Sequence, residues 1–419
     1  LLPLSPHPFA ERSVNVSARF RITQGLLLAS LLLLGACSSI LRNPVPDEHH
    51  LDTTVLGRHD LRFWGDRQGP ERHPAFELAN TNPEVLERDF SGIMRTEHNY
   101  LAISGGGANG AYGAGILCGW STTGERPEFA LVTGISTGAL TAPFAFLGPE
   151  YDEQLKTLYT TLDTSSIFIR RSLFSAVRGD SLVDSAPLAN MLDRYITPEM
   201  VAEIAREYRR GRSLFVITTN LDASRPVVWN ITRIADSGHP DAAALIRQVL
   251  LASASIPGVF PPQYLRVQTP AGKTYDEMHV DGGTSAQLFL YPSNTDWRGL
   301  LEIFEVQGTP SAYLLRNSRF IADYDPVRAR LQNIAGRSVA SLIRTQGVGD
   351  TYRITALANR DGVDVKLTWI PATAIRDPGD EVFDPEYMAA LFEYGYQRAI
   401  DGNAWSAISI DQMGAVEIK

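Results

Sequence analysis

The sequence predicts an α/β fold, a three-layer α/β/α arrangement with helices on both faces of a mainly parallel central sheet. Two observations carry this prediction. From Tyr100 onward short apolar strands alternate with helical segments, the pattern by which a parallel sheet is covered on both sides. Two of those strands also run directly into glycine-bearing turns that open helices, at Gly105 to Gly110 and at Gly134 to Gly138.

Taken in order, Tyr100 to Ser104 reads as the first strand, followed by the glycine loop and a helix of small residues reaching Trp120. Phe129 to Thr133 is a second buried strand, and the helix after Gly134-Ile135-Ser136-Thr137-Gly138 extends through Phe146. Leu214 to Thr219 and Val227 to Ile231 read as strands, and Asp241 to Ser253 as a helix. Met278 to Val280 is a strand leading into Asp281-Gly282-Gly283, and Leu300 to Val306 is one more strand candidate.

The chain has 419 residues, long enough for one large α/β domain with extensions. Its 38 Lys and Arg against 47 Asp and Glu give a net charge of −9, which argues against a nucleic-acid partner. Two cysteines cannot form a disulfide framework. Cys118 falls in an apolar helix and reads as a buried structural thiol.

Arg19 and Arg21 precede the apolar run Gly25 to Leu34, which is too short to span a bilayer and reads as a signal peptide. Leu34-Gly35-Ala36-Cys37 resembles the lipobox of bacterial lipoproteins. That resemblance implies lipidation at Cys37 and a place in the cell envelope, with Ser38 after the Cys pointing to the outer membrane. The organisation expected is leader and signal peptide over 1–37, a tether and irregular extension over 38–97, and the main domain over 98–419. Phe63, Trp64 and Phe76 suggest that part of the extension packs on the body, and His49-His50 reads as solvated tether rather than a metal site.

The chemistry gathers at Ser136. G-x-S-x-G between a strand and a helix places a serine on a sharp turn, with the helix dipole directed at developing negative charge. Gly105, Gly107 and Gly110 also satisfy G-x-G-x-x-G, so a dinucleotide-binding protein is the alternative. That site needs an acidic residue ending the next strand, whereas Glu125 and Glu128 precede it. The loop is better read as backbone N–H groups aimed at an oxyanion beside Ser136. The partner of the serine is open at this level: His239 sits in a polar turn, His279 lies two residues before Asp281, and Asp281 itself is either a direct base or a turn cap. Asp222 reads as a loop cap, and Ile167 to Phe174 as an amphipathic stretch that either touches lipid or covers the site.

Together, Gly105-Gly-Gly-Ala-Asn-Gly110, Gly134-Ile-Ser-Thr-Gly138, Ala252-Ser-Ala-Ser-Ile-Pro-Gly-Val-Phe-Pro261 and Asp281-Gly-Gly283 resemble, in this order, the patatin-like phospholipases. The resemblance extends more loosely to Gly179 to Leu188 and Glu386 to Ile400. It implies a patatin-like fold and a serine acyl-ester hydrolase, a phospholipase A or lysophospholipase. It also implies Ser136 as nucleophile, Asp281 as its sole partner, and an oxyanion hole at Gly105, Gly106 and Gly107. A phospholipid or other acyl ester is the implied substrate, the lipid anchor supplies the contact with membrane, and neither metal nor organic cofactor enters the scheme. A catalytically inactive envelope scaffold is a further alternative, because Asn109 stands where the family usually has Arg or Lys. Asn109 is placed to cap the helix that begins there.

Overall fold

The computed structural model describes residues 42–66, 73–171, 180–321, 324, 326–376 and 382–408. The signal-peptide and lipobox readings, Cys37 included, fall outside them, as do residues 172–174 of the amphipathic stretch.

Among the described residues the strands are β1 (Arg62–Trp64), β2 (Asn99–Ile103), β3 (Leu131–Ile135), β4 (Ile169–Arg170), β5 (Val183–Asp184), β6 (Ser213–Asn220), β7 (Arg225–Asn230), β8 (Gln263–Gln268), β9 (Thr274–Asp281), β10 (Ser311–Arg316), β11 (Asp364–Trp369) and β12 (Ser406–Ile408). The helices are α1 (Pro74–Thr81), α2 (Pro83–Asp89), α3 (Gly110–Thr122), α4 (Thr137–Leu147), α5 (Asp152–Thr160), α6 (Thr164–Ile167), α7 (Ala186–Tyr195), α8 (Pro198–Tyr208), α9 (Ile231–Ala235), α10 (Ala242–Ser253), α11 (Trp297–Ile303), α12 (Leu331–Asp361) and α13 (Pro385–Ile400).

The main sheet runs β1-β7-β6-β3-β2-β10-β11-β12, and β9 pairs with both β6 and β8. Its five central strands, β6, β3, β2, β10 and β11, are mutually parallel. The flanking pairs are antiparallel, so the sheet is mainly parallel at its centre, as expected from the sequence.

Alternation along the strands sends side chains into two cores. Leu101 and Ile103 join Tyr112, Ile116, Leu117 and Leu391 in one, whereas Tyr100 and Ala102 join Leu314, Ile354 and Ala358 in the other. Helices α3 and α13 therefore cover one face and α12 the other. Burial on both faces shows in β3, where all five residues, Leu131 to Ile135, are buried instead of alternating with exposed ones.

The α3–α13 contact is close because the α3 residues facing α13 are glycines. A Cβ on Gly115 would collide with the Phe392 carbonyl and stand 2.9 Å from the Tyr396 nitrogen, both backbone atoms of α13. Gly115→Ala is expected to destabilise the protein by roughly 3 kcal/mol through overpacking. Chemical denaturation checks this, and an unchanged midpoint would contradict the backbone-on-backbone contact.

Two parts of the sequence reading differ from the structure. Leu300 to Val306 is not a strand, since Trp297–Ile303 is helix α11. Asp296 caps it through the Gly299 N–H at 3.0 Å, and buried Leu300 and Phe304 lie four residues apart on its inner side. The strand that fills this part of the sheet is β10, further along the chain. The segment read as an irregular extension contains β1, which pairs antiparallel with β7, and helices α1 and α2, which pack on α11. Phe63 meets Phe215 edge-on at 5.7 Å, and Arg42 is bound to Asp222 and Asp276, so this segment is held to the body.

Candidate active site

Strand register brings Ser136 and Asp281 together. Strand β3 pairs with β6 as far as Ile135 opposite Ile217, and the chain then leaves the sheet at Ser136. One place further along β6, Asp281 of β9 pairs with Thr218 from the side that β3 has vacated. The last residue of β9 thus takes the position that β3 would have filled had it continued.

At the turn Ser136 adopts φ 56° and ψ −125°, a conformation costly for any residue with a side chain. The cost is met by tight packing around the turn. A Cβ on Gly138 would stand 2.6 Å from the Ser104 carbonyl oxygen, so only glycine lets α4 approach the end of β2 this closely. The Ser136 N–H donates to Ser253 Oγ at 3.0 Å, and that hydroxyl donates to the Ile217 carbonyl at 2.7 Å. The Asp281 N–H donates to the Ser255 carbonyl at 2.8 Å. The end of α10 and the residues just after it therefore fasten both members of the pair.

Both side chains are buried, Ser136 at 8% and Asp281 at 5% exposure. The Ser136 side chain lies near enough to the Asp281 carboxylate to lower its pKa, and Asp281 Oδ1 accepts the Gly283 N–H at 2.7 Å. The turn-cap reading of Asp281 is met by this bond, and the same side chain lies beside Ser136. Burial pushes the Asp281 pKa up to about 6, and Ser136 and the Gly283 N–H pull the other way without cancelling it.

The glycine loop lies over the serine. A Cβ on Gly105 would stand 3.2 Å from the Ser136 Cβ and 3.5 Å from Gln287 Oε1. Among the described residues none accepts a hydrogen bond from the N–H of Gly105, Gly106 or Gly107. The loop is held from below by Asn317, fully buried after β10. Its side chain donates to the Ser104 carbonyl at 3.0 Å and accepts the Gly113 N–H at 3.1 Å, while its own N–H donates to Ser104 Oγ at 2.8 Å. Asn109 is not a side-chain cap, because no N–H of α3 donates to its side chain; its Oδ1 instead accepts the Tyr387 hydroxyl of α13 at 2.7 Å.

The other candidates lie elsewhere. His279 is fully buried with both ring nitrogens engaged, one with Glu277 at 3.0 Å and one with Thr218 at 2.8 Å. Burial lowers its pKa, and Glu277 is in turn paired with Arg62 of β1 at 2.8 Å. His239 sits in a turn where Nδ1 accepts the Asp241 N–H. Asp222 accepts the Met278 N–H and binds Arg42, as a loop cap does. Cys118 is buried, donates to the Asp152 carbonyl, and its pKa is pushed up to about 12, the state of an unreactive thiol. Of the amphipathic stretch, Ile169 and Arg170 are exposed on β4, which pairs antiparallel with β5, whereas Ile167 and Phe168 are buried.

Ser253, Ser255 and Asn317 were not singled out as site residues from sequence. A buried Ser in A-S-A-S and an Asn ending a strand carry no catalytic signature, and their roles come from backbone groups delivered by other elements.

Among solved structures, the chain is similar to VipD from Legionella pneumophila, at 13% identity over 75% of this chain and 68% of that one, with a TM-score of 0.35. It is also similar to the type III effector protein ExoU, at 12% identity over 76% of this chain and 58% of that one, with a TM-score of 0.25. Likeness at this level carries no function across. No curated protein matches the sequence. Residues 101–292, just under half of the chain, match the Patatin family, described as patatin-like phospholipase. The match spans the glycine loop, the Ser136 turn, the α10 end and Asp281, so this part of the chain is a patatin-like phospholipase domain, a lipid acyl hydrolase by family.

Proposed function

We propose that the protein cleaves acyl esters of phospholipids or lysophospholipids, as a phospholipase A or lysophospholipase, with Ser136 and Asp281 as a two-residue catalytic unit. The observation that carries this reading is the register that places a buried serine in a strained turn beside a buried carboxylate of raised pKa. In the reaction the ionised Asp281 takes the Ser136 proton as Oγ attacks the acyl carbonyl carbon. The N–H groups of Gly105, Gly106 and Gly107 receive the negative charge that forms on the carbonyl oxygen. When the ester bond breaks, protonated Asp281 returns its proton to the departing alkoxide. Water then attacks the acyl-serine with Asp281 again as base, releasing the fatty acid and restoring Ser136.

A carboxylate at an ordinary pKa is a weak base for a hydroxyl. Near pKa 6, Asp281 is a stronger base and is still about nine-tenths ionised at pH 7. Lipidation of Cys37, as the lipobox resemblance implies, fits the same proposal, because it would hold the enzyme beside its substrate.

The test is to incubate the purified protein with a fluorophosphonate probe and with acyl esters that include phospholipids and lysophospholipids. One probe per chain and release of free fatty acid are expected, and absence of both would sink the proposal. Ser253→Ala is expected to lower kcat roughly 10- to 100-fold with KM nearly unchanged, because the Ser136 amide and the Ile217 carbonyl each lose a buried partner. A variant with wild-type kcat and only a lowered melting temperature would make Ser253 purely structural.

A further inference from the structure

Helix α12 has two halves of different character. From Gly347 onward it packs against the body, and Asp350 Oδ2 accepts the Gln287 N–H at 2.6 Å, holding the residue that stands beside Gly105 and Gly283. Before that point the helix is exposed, and its apolar residues have no place in the core. Leu331 is 86% exposed, Leu342 70%, Val339 53% and Ile334 51%.

At 100° per residue, Leu331, Ile334, Ala335, Val339, Leu342 and Ile343 occupy one half of the helix circumference, and Arg337 and Arg344 lie on the other. The run 326–349 contains Arg328, Arg330, Arg337 and Arg344 and no Asp or Glu, in a chain whose net charge is −9. Tyr324, just before it, is 93% exposed. An exposed apolar stripe on a helix whose opposite side carries cations and no carboxylate, entered through Arg328 and Arg330, complements a surface that is negatively charged outside and hydrocarbon within. No described helix is long and apolar enough to cross a membrane, so this one would lie on it.

We propose that the N-terminal half of α12 and the residues leading into it form a docking surface for an anionic lipid bilayer, with Leu331 and Leu342 entering the acyl region and Arg328 and Arg330 facing the headgroups. The proposal rests on the lipid-hydrolase reading and deepens it. Leu342 is eight residues before Asp350, about 12 Å along the helix, so docking brings the glycine loop close to the lipid surface.

The test uses the full chain carrying Ser136→Ala, so that vesicles survive, in sedimentation with phosphatidylcholine vesicles with and without 30% phosphatidylglycerol. Binding is expected to favour the anionic vesicles and to weaken as salt is raised. The added pair Leu331→Asp and Leu342→Asp is expected to weaken it at least tenfold, and Arg328→Gln with Arg330→Gln to remove most of the salt dependence. In the Ser136 background, the leucine pair should lower fatty-acid release from phospholipid vesicles while leaving hydrolysis of a short, water-soluble ester unchanged. Unchanged vesicle binding in the leucine variant would overturn the docking surface, and so would a dimer that this variant converts to monomer without effect on vesicles. A protein inactive on the soluble ester that still binds anionic vesicles through α12 would instead count against the hydrolase reading alone.

Discussion

Ser136→Ala is expected to abolish fluorophosphonate labelling and to lower acyl-ester turnover by roughly 1,000-fold or more. The substitution removes one oxygen and leaves the turn as it is: alanine suffers the same backbone cost at φ 56°, and the Ser136 N–H keeps its bond to Ser253 Oγ. Melting temperature should therefore change little, and lost activity cannot be attributed to lost fold. Asp281 loses a group that holds its pKa down, so its carboxyl should titrate higher in the variant than in the parent. Intact-mass measurement after probe treatment, with fatty-acid release on the same samples, decides the matter. A variant that still labels at one site per chain places the nucleophile elsewhere. Any residual turnover above the uncatalysed rate would report what the N–H groups of Gly105, Gly106 and Gly107 contribute without a nucleophile.

The parts of this site that the sequence made legible are those written in consecutive residues. A serine between two glycines, flanked by a buried strand and a helix, has few other uses, and a glycine run after a strand exposes its amides whatever lies nearby. The meeting of Ser136 with Asp281 was not legible in this way, because it depends on which edge of β6 is left free. Strand β3 ends opposite Ile217, β9 arrives antiparallel opposite Thr218, and neither register is written in the local pattern. The same limit hid Ser253, whose hydroxyl bridges the Ser136 turn after β3 and Ile217 of β6 from a third element, and Asn317, which joins the end of β10 to the loop after β2 and to α3. At Leu300 to Val306 a short apolar run fits either a strand or one buried side of a helix, and the Asp296 cap decided for the helix. Strand β1 escaped notice because three edge residues are too few to show a period.

Asp281→Asn should lower turnover by roughly 100-fold or more and change the pH profile in a way that separates a base from a scaffold. In the parent, activity should rise as pH passes about 6, where the carboxyl ionises, and stay level above it; the asparagine variant should show no such rise. Stability should respond with the opposite sign. An unfolded aspartate titrates near 3.9 and the folded one near 6, so between these values the folded state binds more protons and stability falls as pH increases. Two pKa units correspond to about 3 kcal/mol, the cost of burying the charge, and asparagine does not incur it. Its side-chain oxygen can still accept the Gly283 N–H, so the turn keeps its cap. The stability of the variant relative to the parent should thus increase from pH 4 to pH 7.5 by up to that amount, as activity is lost. Denaturant unfolding at the two pH values reads this difference. A constant gap would mean that Asp281 titrates normally, and retained activity with a flat gap would remove it as the proton acceptor.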